Sequence, residues 1–159
     1  MTKPAIMINH PLLTVLSPEH TPVMVTIMVK VPENIKEAFE TQRTIPMATV
    51  NKEGVPNVIY VGMWWWEDDE TLCVVNNYLR KTLENIEANG WVSFVCYGKN
   101  GSYQIKCKAE NHKEGSLYEK GYKIATDREK PYPGRSSVVC TVAEVYQGSG
   151  GKGAGDKLA

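Results

Sequence analysis

The sequence predicts a mainly β protein, a small closed or partly closed antiparallel barrel of six strands with flanking helices. Two observations lead to this fold class. The predicted strands are short and mostly follow one another directly, which is typical of antiparallel sheets. Apolar residues recur at helical spacing in only three segments, one before the strands and two between them. The one G-x-G-x-x-G match, at residues 148–153, lies in the glycine-rich tail and opens no predicted helix, and no Walker sequence is present, so a Rossmann or P-loop nucleotide site is not expected.

The first helix is predicted near the start of the core. Pro32 suits a first helical position, and Glu33 favours the positive end of the helix dipole. Ile35, Ala38 and Phe39 then fall on one helical face. Strands follow this helix, and turn signals such as Gly54 separate them. The six predicted strands cover residues 45–50, 56–65, 71–75, 91–97, 102–112 and 136–146.

The second and third helices interrupt the strands. Leu79, Leu83 and Ile86 are spaced i, i+4 and i+7, which is the spacing of one helical face. The Asn89-Gly90 pair is a typical helix stop. The third helix is predicted over residues 115–126, where apolar and small residues recur at helical spacings.

Both ends of the chain differ from the middle. Residues 1–27 contain four prolines and little periodicity, so we expect an N-terminal arm that cofactor binding does not need. Alternatively, synthesis begins at Met24 or Met28. Residues 28–147 form the predicted core domain. Residues 148–159 contain five glycines, and we expect a flexible tail there.

Composition excludes several classes of protein. The 159 residues suffice for one hydrophobic core, and 42% apolar and 23% charged residues are usual for a globular domain. Eighteen basic residues balance eighteen acidic ones, which argues against a nucleic-acid partner but not against a site for one small anion. No apolar stretch near the start approaches the ~20 residues of a membrane-spanning helix. With no signal-peptide pattern either, we expect a cytoplasmic protein.

The cysteine pattern predicts buried, reduced thiols. Each cysteine stands alone inside an apolar segment, without a C-x-x-C pair. The three histidines lie beside no cysteine or carboxylate motif, so no metal site is predicted. The four cysteines are Cys73, Cys96, Cys107 and Cys140.

The most informative segment is residues 76–85, where the third strand ends and the second helix begins. Arg80, Lys81 and Thr82 fall in or near the first helical turn. Free backbone N–H groups and the positive dipole end favour an anion at this position. The dipole disfavours cations here, and a bound phosphate would relieve that repulsion. The alternative interpretation is a solvated basic pair on a surface helix.

The sequence Lys81-Thr82-x-x-Asn85 after the third strand resembles the FMN-binding split-barrel family. This family includes pyridoxamine 5'-phosphate oxidases, small FMN-binding proteins and flavin reductase-like members. Residues 45–62 resemble the family's opening hairpin, and residues 101–110 resemble its long fifth strand. The resemblance covers about residues 30–147, and it rests on the order and spacing of these segments together.

The resemblance implies a six-stranded antiparallel split β-barrel that forms a homodimer, with FMN at the subunit boundary. Lys81 and Thr82 would hold the phosphate, with Asn85 in the same pocket. Gln104 is a plausible polar contact on the fifth strand. The flavin ring would face the backbone of two segments, Met47, Ala48 and Thr49 on the first strand and Tyr60, Val61 and Gly62 on the second.

Aromatic residues supply candidates for a substrate pocket. Strand alternation puts Trp64 and Trp66 on one face and Trp65 on the other. One interpretation is that all three tryptophan side chains are buried in the core or in dimer contacts. The other is that one of them, with Trp64 as the candidate, lines the pocket beside the flavin. Tyr132, on a loop stiffened by two prolines, is a second candidate wall that would reach across the dimer.

The leading functional hypothesis is an FMN-dependent oxidoreductase that passes electrons between a nicotinamide or other donor and a small acceptor. No Ser-His-Asp set or paired carboxylate motif is present, so no catalytic side chain is assigned and the flavin itself would do the redox chemistry. Pyridoxamine-phosphate oxidase activity is not expected, because only one compact cationic site is visible in the sequence. The alternatives are a non-catalytic FMN-binding electron carrier and a barrel that binds haem or a deazaflavin.

Overall fold

The computed structural model describes residues 28–99 and 101–159 in full, and the backbone of residues 6–9, 12–16 and 22–26. Over these ranges the chain forms ten strands and three helices. In order, they are β1 (Ile6–Asn9), β2 (Leu12–Leu16), β3 (Pro22–Thr26), α1 (Glu33–Glu40), β4 (Ile45–Val50), β5 (Pro56–Val61), β6 (Trp64–Trp66), β7 (Thr71–Asn76), α2 (Lys81–Asn89), β8 (Trp91–Gly98), β9 (Gly101–His112), α3 (Ser116–Thr126) and β10 (Ser136–Gln147).

Strands β1, β2 and β3 form a separate antiparallel sheet in the region where the sequence predicts an arm. Met7 pairs with Thr14, and Leu13 pairs with Val25. The sequence does not reveal these strands, because each has only four or five residues and prolines separate them. Among the described residues, none of the three strands pairs with the second sheet. The remaining residues of the predicted arm, and with them Met1, lie outside the described residues.

The second sheet has seven strands in the order β5-β4-β8-β9-β10-β7-β6, and all of its pairings are antiparallel. The strands at its two ends, β5 and β6, are consecutive in the chain and are separated only by Gly62 and Met63. The two ends of the sheet must therefore lie close together. This requirement curls the sheet into the split barrel that the sequence predicts, with the helices on its flanks.

The predicted strand count of six is wrong by one. The sequence predicts a single strand over residues 56–65, but that segment breaks at Gly62 and Met63. Its first part pairs with β4, and its second part pairs with β7 at the other end of the sheet order. One straight strand cannot pair with the strands at both ends of a curled sheet, so the chain bends between its two halves. The other five predicted strands are confirmed to within one residue at each end.

The core lies inside the curled sheet and under α1. Ile35, Ala38 and Phe39 are buried on one face of α1, as the spacing predicts. The ring of Phe39 packs edge-on against Trp64 and Trp66, with centroid distances of 6.4 and 5.7 Å. Burying a large apolar side chain contributes about 1.5–3 kcal/mol, so this cluster is a main source of stability.

The second helix ends as predicted, because Gly90 caps it in the left-handed conformation with φ of 67°. The third helix packs closely against the sheet at Gly121. A Cβ atom at this position would collide with Ser137 Oγ on β10. The longest helix of the described residues, α3, has 11 residues, and none of these helices is long and apolar enough to cross a membrane.

The glycine-rich tail runs back along β10. Gln147 N donates to Asp156 O at 2.9 Å, and Leu158 N donates to Val145 O at 2.7 Å. Ser149 Oγ accepts a hydrogen bond from the backbone N–H of Ser102 at 2.7 Å. The backbone of the tail is thus hydrogen-bonded to the sheet, and its mobility in solution stays a prediction.

Candidate functional site

The N-terminus of α2 is fixed by a buried asparagine at the end of β7. Asn76 Oδ1 accepts a 2.9 Å hydrogen bond from Leu79 N, and Asn76 Nδ2 donates to Ser136 Oγ at 2.8 Å. This side chain ends the strand and sets the turn that leads to Arg80, the residue before the first helical position. The helix therefore begins at Lys81, at the place where the sequence suggests an anion site.

Thr82 and Asn85 belong to a buried polar network that joins α2 to the sheet. Asn85 Nδ2 donates to Thr49 Oγ1 at 2.9 Å, and Asn57 Nδ2 donates to Thr82 Oγ1 at 3.0 Å. Asn57 Nδ2 also lies 3.3 Å from Thr49 Oγ1. Thr49, Thr82 and Asn85 are all buried. The structure thus brings together three of the predicted site residues, and it adds Asn57.

Asn57 is a site residue that the sequence reasoning missed. It lies on β5 in the same inward register as Ile59 and Val61, whereas Val58 and Tyr60 point outward and are exposed. A polar residue on the inward face of a strand was the available signal, because a buried amide needs a hydrogen-bond partner.

Lys81 lies beside this network with an exposed side chain. It lines a pocket of about 690 Å³ together with Lys52, Asn57 and Asn85. Glu84, in the first turn of the same helix, lines the pocket as well. Two lysines and three glutamates therefore line this pocket: Lys52, Lys81, Glu53, Glu84 and Glu87.

A second pocket, of about 520 Å³, lies at the other end of β5. Tyr60, Val61 and Gly62 line it together with Tyr132. Because β5 is at the end of the sheet order, one of its edges pairs with no strand of this sheet. The residue opposite Tyr60 on β4 is Pro46, which has no N–H to donate. The outer backbone edge at this end of β5 therefore has no strand partner in this sheet, and its contact with a flavin ring stays a prediction.

Met47 and Ala48, unlike Tyr60 and Val61, lie on a strand that has partners on both sides. Both lie on β4, and both pair with β5 on one side and β8 on the other, so their backbone groups take part in the sheet. The Met47 side chain is fully buried in the core, and Ala48 faces a third pocket on the outer side of the sheet, with Trp91.

Gln104 lies on the outer face of β9 and lines a fourth pocket together with Tyr97 and Tyr146. Tyr60 lines both this pocket and the 520 Å³ pocket, so the two are neighbours. The structure does not place Gln104 at the N-terminus of α2.

The tryptophan run follows the predicted alternation. Trp64 and Trp66 both pack on Phe39, whereas Trp65 Nε1 donates to Glu67 Oε2 at 2.8 Å on the outside. Trp64 is therefore part of the core packing and does not line the pocket that contains Tyr132.

Two arginines that the sequence analysis did not single out also line the 520 Å³ pocket. Arg43 precedes β4, and Arg128 follows α3. They are far apart in the sequence and belong to no motif, so only the folded chain brings them together.

The thiols are buried as predicted, and none is suited to be a nucleophile. All four cysteines are free and buried. Burial raises the pKa of Cys73 and of Cys96 to about 12, because the low-polarity interior disfavours a thiolate. Among the described residues, no group of three or more His, Cys, Asp or Glu side chains could hold a metal ion.

Comparison with known proteins identifies relatives of this chain. The sequence profile of the family described as pyridoxamine 5'-phosphate oxidase matches residues 31–148. An uncharacterised protein of Methanocaldococcus jannaschii is 29% identical over 135 residues, which are 83% of this chain and 90% of the relative.

Solved structures share the fold. HupZ of Group A Streptococcus is 25% identical, with a TM-score of 0.67 over 79% of this chain and 99% of HupZ. An FMN-binding protein from Syntrophomonas wolfei is 17% identical, with a TM-score of 0.62 over 76% of this chain and 89% of that protein. A haem storage protein of Vibrio cholerae, HutZ, is 18% identical, with a TM-score of 0.53 over 77% of this chain and 98% of HutZ.

Proposed function

Because this chain belongs to the pyridoxamine 5'-phosphate oxidase family, we propose that it binds FMN between α2 and the free edge of β5 and acts as an oxidoreductase. The observation that carries this proposal is the position of β5. Asn57, near its start, is hydrogen-bonded to Thr82 in the first turn of α2, and Tyr60, near its end, has a backbone edge outside the sheet. One strand thus connects an anion site to an edge suited to a flavin ring.

The phosphate of FMN would bind at the N-terminus of α2. Lys81 supplies an exposed ammonium group there, and the free N–H groups of the first turn add partial positive charge. The Thr82 oxygen accepts a hydrogen bond from Asn57, which leaves the hydroxyl proton for a phosphate oxygen. Asn85 and Thr49 keep this turn in place and act as positioning residues.

The flavin ring would lie along Tyr60, Val61 and Gly62. An isoalloxazine edge needs hydrogen-bond donors and acceptors at fixed spacing, and a backbone edge provides both. When bound, FMN supplies the capacity to accept and release electrons, and the protein binds the cofactor and controls access to it. The proposal assigns no acid, base or nucleophile to a side chain.

We further propose that the active form is a homodimer. The outer face of the sheet exposes large apolar and aromatic side chains that a partner could cover: Tyr60 and Tyr97 are each 74% exposed, and Val58 is 62% exposed. Gln104 lies on the same outer face and would contact the flavin of the other subunit. A dimer would thus combine residues of two subunits at each cofactor.

The absorption spectrum of the purified protein tests the choice of cofactor. A flavin spectrum, with stoichiometric FMN released on denaturation, is the expected result. A Soret band would instead identify a haem protein like the neighbour from Vibrio cholerae, and a deazaflavin spectrum would overturn the FMN assignment too. Steady-state turnover with NADH or NADPH and an artificial acceptor then separates an oxidoreductase from an electron carrier.

A further inference from the structure

One row of outward-facing residues crosses five neighbouring strands of the second sheet. Tyr60 on β5 pairs with Pro46 on β4. Gln104 on β9 pairs with Val95 on β8 and with Tyr146 on β10. The register between β4 and β8 places Pro46 beside Val95, which completes the row. Neighbouring strands are about 4.8 Å apart, so the two ends of the row, Tyr60 and Tyr146, are separated by roughly 19 Å.

The Tyr146 ring, at one end of this row, is held by charged neighbours. Lys106 Nζ lies 4.7 Å from the centre of the ring, and the Tyr146 hydroxyl is hydrogen-bonded to the Glu144 carboxylate. Glu144 is only 5% exposed, and its carboxylate oxygens lie 3.4 Å from Lys106 Nζ and 3.9 Å from Lys157 Nζ. Burial, with Glu144 as a second cause, raises the pKa of the Tyr146 hydroxyl, so the proton of this bond is retained at neutral pH. The ring therefore has a fixed direction before any ligand binds.

The opposite end of the row offers a backbone edge. Because β5 is last in the sheet order, the outer edge of Tyr60 pairs with no strand of this sheet. The two ends are thus unlike, with an open backbone edge at Tyr60 and a fixed aromatic ring at Tyr146. Four strand spacings, roughly 19 Å, separate them within one subunit, so they cannot both contact one flavin ring there.

A two-fold axis through the middle of the row would bring the unlike ends together. Val95 is the middle residue, and it is 40% exposed. In a two-fold dimer, residue i contacts residue j of the other copy, and j contacts i. With the axis at Val95, this valine meets the partner's Val95, and Tyr60 meets Tyr146 of the partner subunit. The same contact would cover the exposed Tyr97, which also lies on β8.

The curl of the sheet leaves room at both ends of such a contact. The outer face of a curled sheet is convex, so two of these faces touch near the axis and separate towards the ends of the row. A gap therefore remains between Tyr60 and Tyr146 of the partner subunit. A flat ring system suits a gap that has a backbone edge on one side and an aromatic ring on the other.

We propose that Tyr146 of the partner subunit covers the flavin ring bound along Tyr60, through a two-fold axis at Val95. This contact rests on the proposed FMN site and homodimer, and it adds a residue that the site lacks in a single subunit. Tyr146 contacts the cofactor, whereas Lys106 and Glu144 act as positioning residues that keep its ring in place.

Disulfide formation at Val95 tests the position of the axis without any cofactor. Val95→Cys should give a covalent dimer under mild oxidation, because a residue on the axis meets its own copy, and the four native thiols are buried. Tyr97→Cys is the matched control, since its two copies would lie roughly 13 Å apart, beyond the reach of a disulfide. No covalent dimer at Val95→Cys, or equal crosslinking of both variants, would overturn the proposal. This test leaves Tyr146 unchanged, so it decides even where a Tyr146 variant does not fold.

FMN binding tests the role of the ring. Tyr146→Leu should weaken FMN by roughly three- to ten-fold, as expected for the loss of one aromatic contact. It should also raise the fluorescence of the bound flavin, because a tyrosine ring in contact with a flavin quenches it. Tyr146→Phe keeps the ring and should keep the affinity. Tyr122→Leu, which removes an exposed ring from α3, is the control. Equal affinities of Tyr146→Leu and this control would overturn the contact.

Mixed dimers show which subunit supplies the ring. A dimer of one Lys81→Ala subunit and one Tyr146→Leu subunit, purified through two different tags, should contain one FMN site of wild-type affinity. That site combines the intact Lys81 of one subunit with Tyr146 of the partner subunit. If the tightest site is no better than in the Tyr146→Leu homodimer, the ring acts within its own subunit and the proposal fails. A wild type that binds no FMN would instead overturn the proposed function, and a disulfide at Val95→Cys would then leave the two-fold axis standing.

Discussion

Asn85 Nδ2 donates a 2.9 Å hydrogen bond to Thr49 Oγ1, and both side chains are buried. This bond joins the middle of α2 to β4, and it lies next to the bond between Asn57 and Thr82. The position of Lys81, at the first residue of the helix, therefore depends on a small polar network inside the protein.

Replacement of Asn85 by leucine should destabilise the protein by about 1–3 kcal/mol, because the buried Thr49 Oγ1 would lose the shorter of its two hydrogen bonds from an amide. Urea unfolding measures this change as a lower midpoint. The control is Glu87→Ala, an exposed position of the same helix, where a change within about 0.5 kcal/mol is expected. A variant of Asn85 as stable as this control would show that the network contributes nothing to the fold.

Replacement of Gly121 by alanine should destabilise the protein by about 1–3 kcal/mol, because the added methyl group meets Ser137 Oγ in a close-packed contact between α3 and β10. Gly150→Ala is the matched control, since a Cβ atom there meets nothing within 4 Å. Thermal unfolding compares the two. Ser137→Ala removes the Oγ atom, so Gly121→Ala should cost less in that background than in the wild type, and an equal cost in both backgrounds would show that the collision is not the cause.

The cysteines should resist thiol reagents in the folded protein. Burial raises the pKa of Cys73 and Cys96 from 9.0 to about 12, so almost no thiolate forms at neutral or mildly alkaline pH. Modification should therefore follow the rate of unfolding. Rapid labelling in the native state, before any loss of circular dichroism, would contradict this expectation.

The raised pKa of the Cys73 and Cys96 thiols also predicts a loss of stability at high pH. The folded protein holds these thiol protons more tightly than the unfolded chain, so the contribution to stability is full below pH 9.0 and falls as pH rises toward about 12. The urea midpoint should therefore decrease steadily across this range. A midpoint that does not depend on pH in this range would contradict the assignment.

The proposed dimer should dissociate when charge is placed on the outer face of the sheet. Tyr97→Glu puts a carboxylate at an exposed position of β8, whereas Tyr122→Glu does the same on α3 at a position with 47% exposure. Light scattering should give a dimer for the wild type and the α3 variant and a monomer for Tyr97→Glu. A monomeric wild type at micromolar concentration would reject the dimer.

Most of the fold could be predicted from local patterns. Ile45, Met47 and Thr49 point inward on β4, as strand alternation requires. The face of α1 and the end of α2 at Gly90 also follow from neighbouring residues. The break between β5 and β6 could not be predicted in this way, because closure of the sheet decides which partners the two halves of the segment find.

The candidate site could be predicted only where its residues are close in sequence. Lys81, Thr82 and Asn85 lie within one helical segment, and the sequence indicates them directly. Arg43 and Arg128 come from opposite ends of the core, and only the curled sheet places both at one pocket. The polar network could be predicted in part. Asn57 stands out in the sequence as a polar residue on an inward face, but its hydrogen-bond partners depend on how α2 packs on the sheet.

The proposed FMN site depends most directly on Lys81, which would bind the phosphate at the start of α2. The direct measurement compares the affinities of FMN and riboflavin for the wild type and for Lys81→Ala, because riboflavin lacks the phosphate. A charge-assisted hydrogen bond contributes about 1.5–3 kcal/mol, so FMN should weaken by roughly ten- to a hundred-fold while riboflavin affinity stays the same. Equal weakening of both ligands would contradict a phosphate contact at Lys81, and a wild type that binds neither ligand would contradict the flavin site as a whole.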